Sequence, residues 1–279
     1  MEYKKIVHKY SIWLIGLPFS LGMCLMLYPA VSNYWNSLYS SMMIDNYVGK
    51  VAVMNRLDYE LLFEGAHDYN QILALKSKGF YLTDIQKADY ETELNINNDG
   101  IMGIIEIPGI HVELPIYHGL SEQVLKVAAG HLDWTSLPVG GESSHCVIFG
   151  YSGHLSAKLF TDLDKLALGD DFMLHVLNKT LTYKIDRISM VNRQHTSALQ
   201  IIQGEDYCTL MTCVPYEIND HYLLVRGHRI EVEPEEQMYY ENKDCMQIKS
   251  YAVGIIFGIV ILGFATIILF VTRHTRGIF

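Results

Sequence analysis

The central half of this sequence predicts a mainly β domain, a barrel or a sandwich, and three observations set that expectation. From Ile101 onward, short apolar runs rich in β-branched residues recur with turn signals between them, every eight to twelve residues or so. Between residues 36 and 95 the apolar positions instead recur at spacings of three and four, the period of a helix. Outside both regions lie two charge-free runs, 11–31 and 251–272, each long enough to span a bilayer core. The expected layout is therefore a helical N-terminal region, a β domain, and one transmembrane helix at each end.

Charge and composition exclude some functions early. The formal net charge is −10, which argues against a nucleic-acid partner, because phosphate binding needs a basic face. Five cysteines are too few for a disulfide scaffold. No Cys-x-x-Cys pair and no His-Glu-x-x-His run occurs, so neither a metal site nor a cofactor is expected.

Taken in order, residues 1–10 carry Lys4, Lys5, His8 and Lys9, and Arg273, His274 and Arg276 follow the second charge-free run. Basic residues outside both runs place both termini in the cytoplasm by the positive-inside rule, with residues 32–250 extracellular. Tyr28-Pro29-Ala30-Val31-Ser32 makes a poor cleavage site, so 11–31 is expected to remain as an anchor. Residues 32–95 follow as the helical region, with Tyr59–Phe63 and Tyr69–Leu75 as its most periodic parts. A turn at 76–81 presents Phe80 and Tyr81.

The β domain is expected over 96–232. Its strands are placed at Ile101–Ile107, Ile110–Tyr117, Cys146–Gly150, Phe172–Leu177, Leu181–Val191, Leu199–Ile202, Tyr207–Cys213 and Tyr222–Val232. Short helices are expected over Ser121–Ala129, with Ser121 as N-cap, and over Leu155–Leu166. An acidic tether fills 233–250, and 273–279 is a short cytoplasmic tail.

The chemistry is expected at Cys213. An apolar, β-prone run ends there, and Pro215 stops the strand, which leaves a thiol at a strand end within reach of a substrate. Cys208 lies an odd number of residues from Cys213, so the two face opposite sides of a regular strand. Cys146 is a candidate neighbour of Cys208, and the sequence leaves their pairing open.

Thr209-Leu210-Met211-Thr212-Cys213 resembles the TLxTC motif of sortases, the cell-wall transpeptidases of Gram-positive bacteria. Several separated blocks resemble the class C, pilus-assembling branch: Leu114–Gly119, Gly130-His131, Thr135–Gly141, Ala157–Leu163 and Leu223–Gly227. So does Tyr28-Pro29 followed by Ser32–Asn36. The resemblance implies an eight-stranded β-barrel in which the Cys213 thiolate attacks an LPXTG-like sorting signal of a pilin or surface protein. A thioester forms and an amine resolves it. The resemblance also makes Leu210 and Thr212 substrate-binding positions, and Phe80 and Tyr81 the aromatics of a lid.

Two departures from the family pattern stand out. Tyr151, in Gly150-Tyr151-Ser152-Gly153-His154, occupies the position of the family's histidine, and Tyr222 occupies that of its arginine. A free thiol with a pKa of about 8.5 is only a few per cent ionised at neutral pH, and a neutral tyrosine supplies no cation to correct this. Three substitutes remain open. His154 can fold back toward the thiol. Arg226 shares a strand face with Tyr222 but lies about 13 Å further along, which suits a structural role better. Tyr151 and Tyr222 can flank Cys213 and donate hydrogen bonds to a bound carbonyl. The expected function is a membrane-anchored cysteine transpeptidase with an altered site. The alternative is a catalytically impaired relative that binds pilin or an active sortase as an assembly accessory.

Overall fold

The computed structural model describes residues 2–75, 82–153, 157–192, 196–213 and 221–231. The chain divides into two compact units, one containing the residues up to Tyr34 and the other beginning at Trp35. Helix α1 (Glu2–Ala52) starts in the first and ends in the second.

The expected membrane span at 11–31 is corrected here. Those residues are one part of α1, and no helix among the described residues is long and apolar enough to cross a membrane. Pro18 and Pro29 lie inside the helix. Beyond Leu27 its sequence turns polar at Ser32, Asn33, Asn36, Asp45 and Asn46. The topology built on two spans loses its support among the described residues: a transmembrane helix at each end, the membrane as a partner, a cell-membrane location and cytoplasmic termini. The run 251–272 lies outside the described residues, as do 233–250 and 273–279.

Two further helices precede the barrel. Helix α2 (Arg56–Leu75) buries Phe63, Ala66 and Asn70, three positions on one helical face. Helix α3 (Asp84–Thr92) begins with a capping box in which Thr83 and Gln86 bond each other's backbone N–H. Both helices and the end of α1 are tied to the barrel by buried polar groups. The Asn70 amide brackets the Leu137 peptide, donating to its carbonyl at 3.1 Å and accepting from its N–H at 2.7 Å. The Tyr47 hydroxyl donates to the Met102 carbonyl and accepts from Leu177 N–H. The Tyr90 hydroxyl accepts from Gly119 N–H and lies 3.0 Å from His131 Nδ1.

The barrel strands are β1 (Ile101–Ile107), β2 (Val112–His118), β3 (Ala129–His131), β4 (Ser144–Phe149), β5 (Asp171–Val176), β6 (Lys179–Asn192), β7 (Asp206–Cys213) and β8 (His221–Ile230). They close in the order β1-β2-β3-β4-β7-β8-β6-β5. Two pairs, β2 with β3 and β4 with β7, are parallel, and the other six are antiparallel. A strand buried on one face shows period two, and β6 does so at Leu181, Tyr183 and Ile185 before it runs out into solvent. These side chains fill one interior core with Ile105, Ile148, Phe172, Leu210 and Val225.

The structure differs from the sequence expectation at four places. The helix expected over Ser121–Ala129 is a single turn, Glu122–Leu125, and Ala129 already belongs to β3. Strand β3 is too short to show a period. Residues 199–202 are not a strand; a 3-10 turn spans Thr196–Leu199, because the edges of β4, β7 and β8 are already paired and leave no vacant ladder. The expected helix over 155–166 is reduced, among the described residues, to the 3-10 turn Leu163–Lys165. Leu159 has φ of 39°, in the left-handed region, and a helix cannot pass through it.

Candidate active site

Strand alternation decides which side chains of β7 reach the site. Cys208 and Leu210 point into the barrel core, and Met211 and Cys213 belong to a second apolar cluster on the opposite face. Register then builds rows across the sheet. Met211 has Phe149 of β4 on one side and Leu224 of β8 on the other. One step toward the strand ends, Cys213 pairs with Tyr222, and Tyr222 pairs with Val191 of β6. Gly150 N–H continues the β4–β7 ladder to the Met211 carbonyl at 3.1 Å. Tyr151 therefore lies beyond Phe149 as Cys213 lies beyond Met211.

The outcome is one row, Tyr151, Cys213, Tyr222 and Val191, along the end of the sheet. It opens on a cleft of about 350 Å³ walled by Trp134, Leu199 and Leu132 and floored by Phe149 and Met211. The Phe149 ring meets Tyr151 edge-on at 5.7 Å and Tyr222 at 6.2 Å. It thus sets the spacing of the two tyrosines around the thiol. No charged side chain lines the cleft among the described residues. The polar side chains in its lining are those of Tyr151, Tyr222, Trp134, Asn192 and Cys213 itself.

Of the residues singled out from the sequence, Cys213, Tyr151 and Tyr222 come together, and Cys213 is half-buried. Leu210 and Thr212 do not line the cleft. Leu210 is fully buried in the barrel core, and the Thr212 hydroxyl donates to the Gly150 carbonyl at 2.7 Å, tying the ends of β7 and β4 together. Arg226 lies opposite Thr209, two rows from Cys213. Its guanidinium grips Asp186 through two hydrogen bonds of 3.0 and 2.8 Å and sits 4.0 Å above the Tyr207 ring. The hydrogen bond to Asp186 raises its pKa further. His154, Phe80 and Tyr81 lie outside the described residues. Trp134, Phe149, Met211 and Leu199 were missed. Counting back by twos from Cys213 finds Met211, whereas nothing periodic marks Trp134 or Leu199.

His131 and His118 bear structural loads. His131 is fully buried, with Nε2 2.8 Å from the Ser136 carbonyl and Nδ1 3.0 Å from the Tyr90 hydroxyl. His118 lies between the Gly100 and Glu93 carbonyls.

Cys146 and Cys208 are register partners across β4 and β7, exposed by 2% and 0%, and neither is in a disulfide. Burial pushes the Cys208 thiol well above its ordinary range. In the native protein, Cys213 and the exposed Cys24 should take up a small neutral alkylating reagent. Cys146 and Cys208 should do so at least about a hundredfold more slowly, because they need a local opening of the barrel. Peptide mass spectrometry over a time course reads this directly, and equal rates at all four thiols would contradict the burial.

The closed, mixed eight-stranded barrel, with a thiol at the end of β7 and a cleft beside it, matches solved sortase C structures and is a class C, pilus-sortase-like fold. Residues 105–230 match the sortase domain family. The chain is 42% identical to sortase C1 from Streptococcus agalactiae, with a TM-score of 0.67, covering 69% of this chain and 100% of that one. It is 40% identical to sortase C from Clostridium perfringens, solved with the C-terminal cell wall sorting motif, with a TM-score of 0.60 and coverage of 69% and 100%. Sortase A of Streptococcus agalactiae serotype III (strain NEM316) is 29% identical over 160 residues, 56% of this chain. The chain spans 62% of that relative's length, less than two thirds. The chain belongs to the sortase family.

Proposed function

We propose that this chain is a cysteine transpeptidase acting on an LPXTG-like sorting signal of a pilin or surface protein, with Cys213 as nucleophile. The observation that carries the reading is the position of the Cys213 thiol. It is half-buried at a strand end and opens, between two tyrosines, on a cleft of about 350 Å³. The Clostridium perfringens sortase C, solved with a sorting motif, supports the choice of substrate class.

In this reading the Cys213 sulfur attacks the carbonyl carbon of the scissile peptide bond. The carbon–nitrogen bond breaks, the amine leaves with a proton, and a thioester remains. An incoming amine then attacks the thioester, the carbon–sulfur bond breaks, and the thiol is restored. Tyr151 and Tyr222 replace the family's histidine and arginine and donate hydrogen bonds toward the carbonyl oxygen. A hydrogen-bond donor aimed at developing oxyanion charge is worth roughly 10²–10³ in rate.

A second reading has its own support. The described lining of the cleft holds no histidine and no arginine, which suits a protein that binds pilin or an active sortase without turning over. One experiment separates the two. The whole chain is incubated with an LPXTG-type peptide, quenched in acid and weighed. The transpeptidase reading expects an acyl adduct on Cys213 that hydroxylamine removes and that Cys213→Ala abolishes. Binding of the peptide without any adduct, at any time up to hours, would favour the accessory instead.

A further inference from the structure

One wall of the cleft stands on a short connection outside the barrel ladder. Leu199 closes it from the 3-10 turn Thr196–Leu199 and is 6% exposed. A loop segment holds a fixed position only if something outside the ladder binds it, and here the binding group is an imidazole.

His145 sits on β4, two rows below the cleft floor, and the residue is 1% exposed. Its backbone is locked in place, since its N–H donates to Ser136 Oγ and its carbonyl accepts from Ser136 N–H, both at 3.0 Å. The ring nitrogens face two different elements. Nδ1 lies 2.9 Å from the Gln200 carbonyl, and Nε2 lies 2.7 Å from Thr209 Oγ1 on β7. Tyr207 packs edge-on against the ring at 5.8 Å. Burial pushes the pKa of His145 down to about 4, so the ring is neutral at pH 7 and carries one N–H. A carbonyl only accepts, so Nδ1 holds the proton and donates to Gln200. Nε2 then accepts from the Thr209 hydroxyl.

We infer that His145 is a positioning residue that fixes the Leu199 wall of the cleft by bridging the Thr209 hydroxyl and the Gln200 carbonyl. The bridge runs from β7, two residues before Met211 on the cleft floor, to the residue that follows Leu199. Floor and wall are thereby held at one separation, which sets the width of the apolar cleft. Arg226 contributes from the other side. It clasps Asp186 and covers Tyr207, which keeps the packing around the His145 ring closed. This inference deepens the transpeptidase reading and rests on it for the kinetic readout alone.

The test compares the full chain with His145→Ala, His145→Gln and Thr209→Val by hydrogen exchange and by peptide kinetics. Losing one buried hydrogen bond is worth about tenfold in a local opening equilibrium. His145→Ala should speed exchange in residues 196–202 by about that factor and leave β1 and β2 unchanged. It should raise KM for the sorting peptide about tenfold, with kcat within about twofold, because the cleft is loosened and the thiol is untouched. Glutamine reaches both partners and should restore both values. Thr209→Val removes one bond only and should produce the same pattern more weakly; it decides the matter if the alanine variant does not fold.

Exchange that rises evenly across all strands, or that does not rise at 196–202, would overturn the inference and leave His145 as ordinary core. If no peptide acylates the wild-type chain, the transpeptidase reading falls, and the exchange data still decide the role of His145.

Discussion

A chain carrying Tyr151→His and Tyr222→Arg together should form the Cys213 acyl-enzyme faster than the natural sequence by about 10²–10⁴. The geometry makes both substitutions local. Tyr222 is the register partner of Cys213 on β8, and Tyr151 follows Phe149 and Gly150 on the other side of β7. A histidine with an ordinary pKa of about 6.5 supplies what phenol cannot at neutral pH, a proton acceptor for the thiol and a donor for the leaving amine. An arginine beside the thiol adds a permanent cation, which favours thiolate over thiol and then faces the oxyanion.

The two gains should not multiply, because groups that act on one transition state are coupled. Each single substitution should therefore give most of what it can give alone. Single-turnover acid-quench mass spectrometry reads the rate, with Tyr151→Phe and Tyr222→Phe as controls that remove the hydroxyls and keep the rings against Phe149. A folded double variant with no gain would mean that Cys213 is not the attacking group, or that the cleft does not seat the scissile bond beside it. Either outcome leaves the accessory reading standing.

The β domain was legible from sequence where the chain alternates, and for a physical reason. Strands buried on one side repeat with period two, as β6 does at Leu181, Tyr183 and Ile185, whereas β1 was legible as a short, nearly continuous apolar run bounded at Ile101 and Ile107. Cys213 was legible because its strand closes on it. Leu210 and Thr212 were chosen because they belong to the same short motif, although alternation turns both away from the face that Cys213 occupies. Applying period two consistently would have selected Met211. Trp134 and Leu199 come from connections, where the local sequence sets no direction for a side chain. The charge-free run at 11–31 misled because hydropathy measures where charge is absent and says nothing of where a helix stops. Helix α1 runs on to Ala52 through residues that no cap interrupts. Strand β3 was missed because its three residues are ordered entirely by the strands on either side.

That last point carries the second large prediction: Gly130→Ala should cost the fold about 3 kcal/mol or more. Gly130 lies at the centre of β3, paired with Tyr117 of β2 and Phe149 of β4. A Cβ built there would strike the Gly119 carbonyl oxygen, with Leu120 Cδ2 at 2.9 Å and Leu125 Cδ2 at 3.3 Å. The side chains can rotate, but the carbonyl cannot. It belongs to the turn that follows β2, and the N–H of the same residue donates to Tyr90 at 2.9 Å. Relief requires β3 to move, and its two ladders oppose that. Leu120 and Leu125 also line the cleft, so a variant that stays folded should bind the sorting peptide less tightly as well. The matched control is Gly49→Ala on α1, where a Cβ meets nothing within 4 Å. There the helix should gain about 0.5–1 kcal/mol. Urea unfolding of both variants measures the contrast. A loss below about 1 kcal/mol for Gly130→Ala would show that β3 has room to yield, and the packing that positions the Phe149 end of the site would then be looser than its register implies.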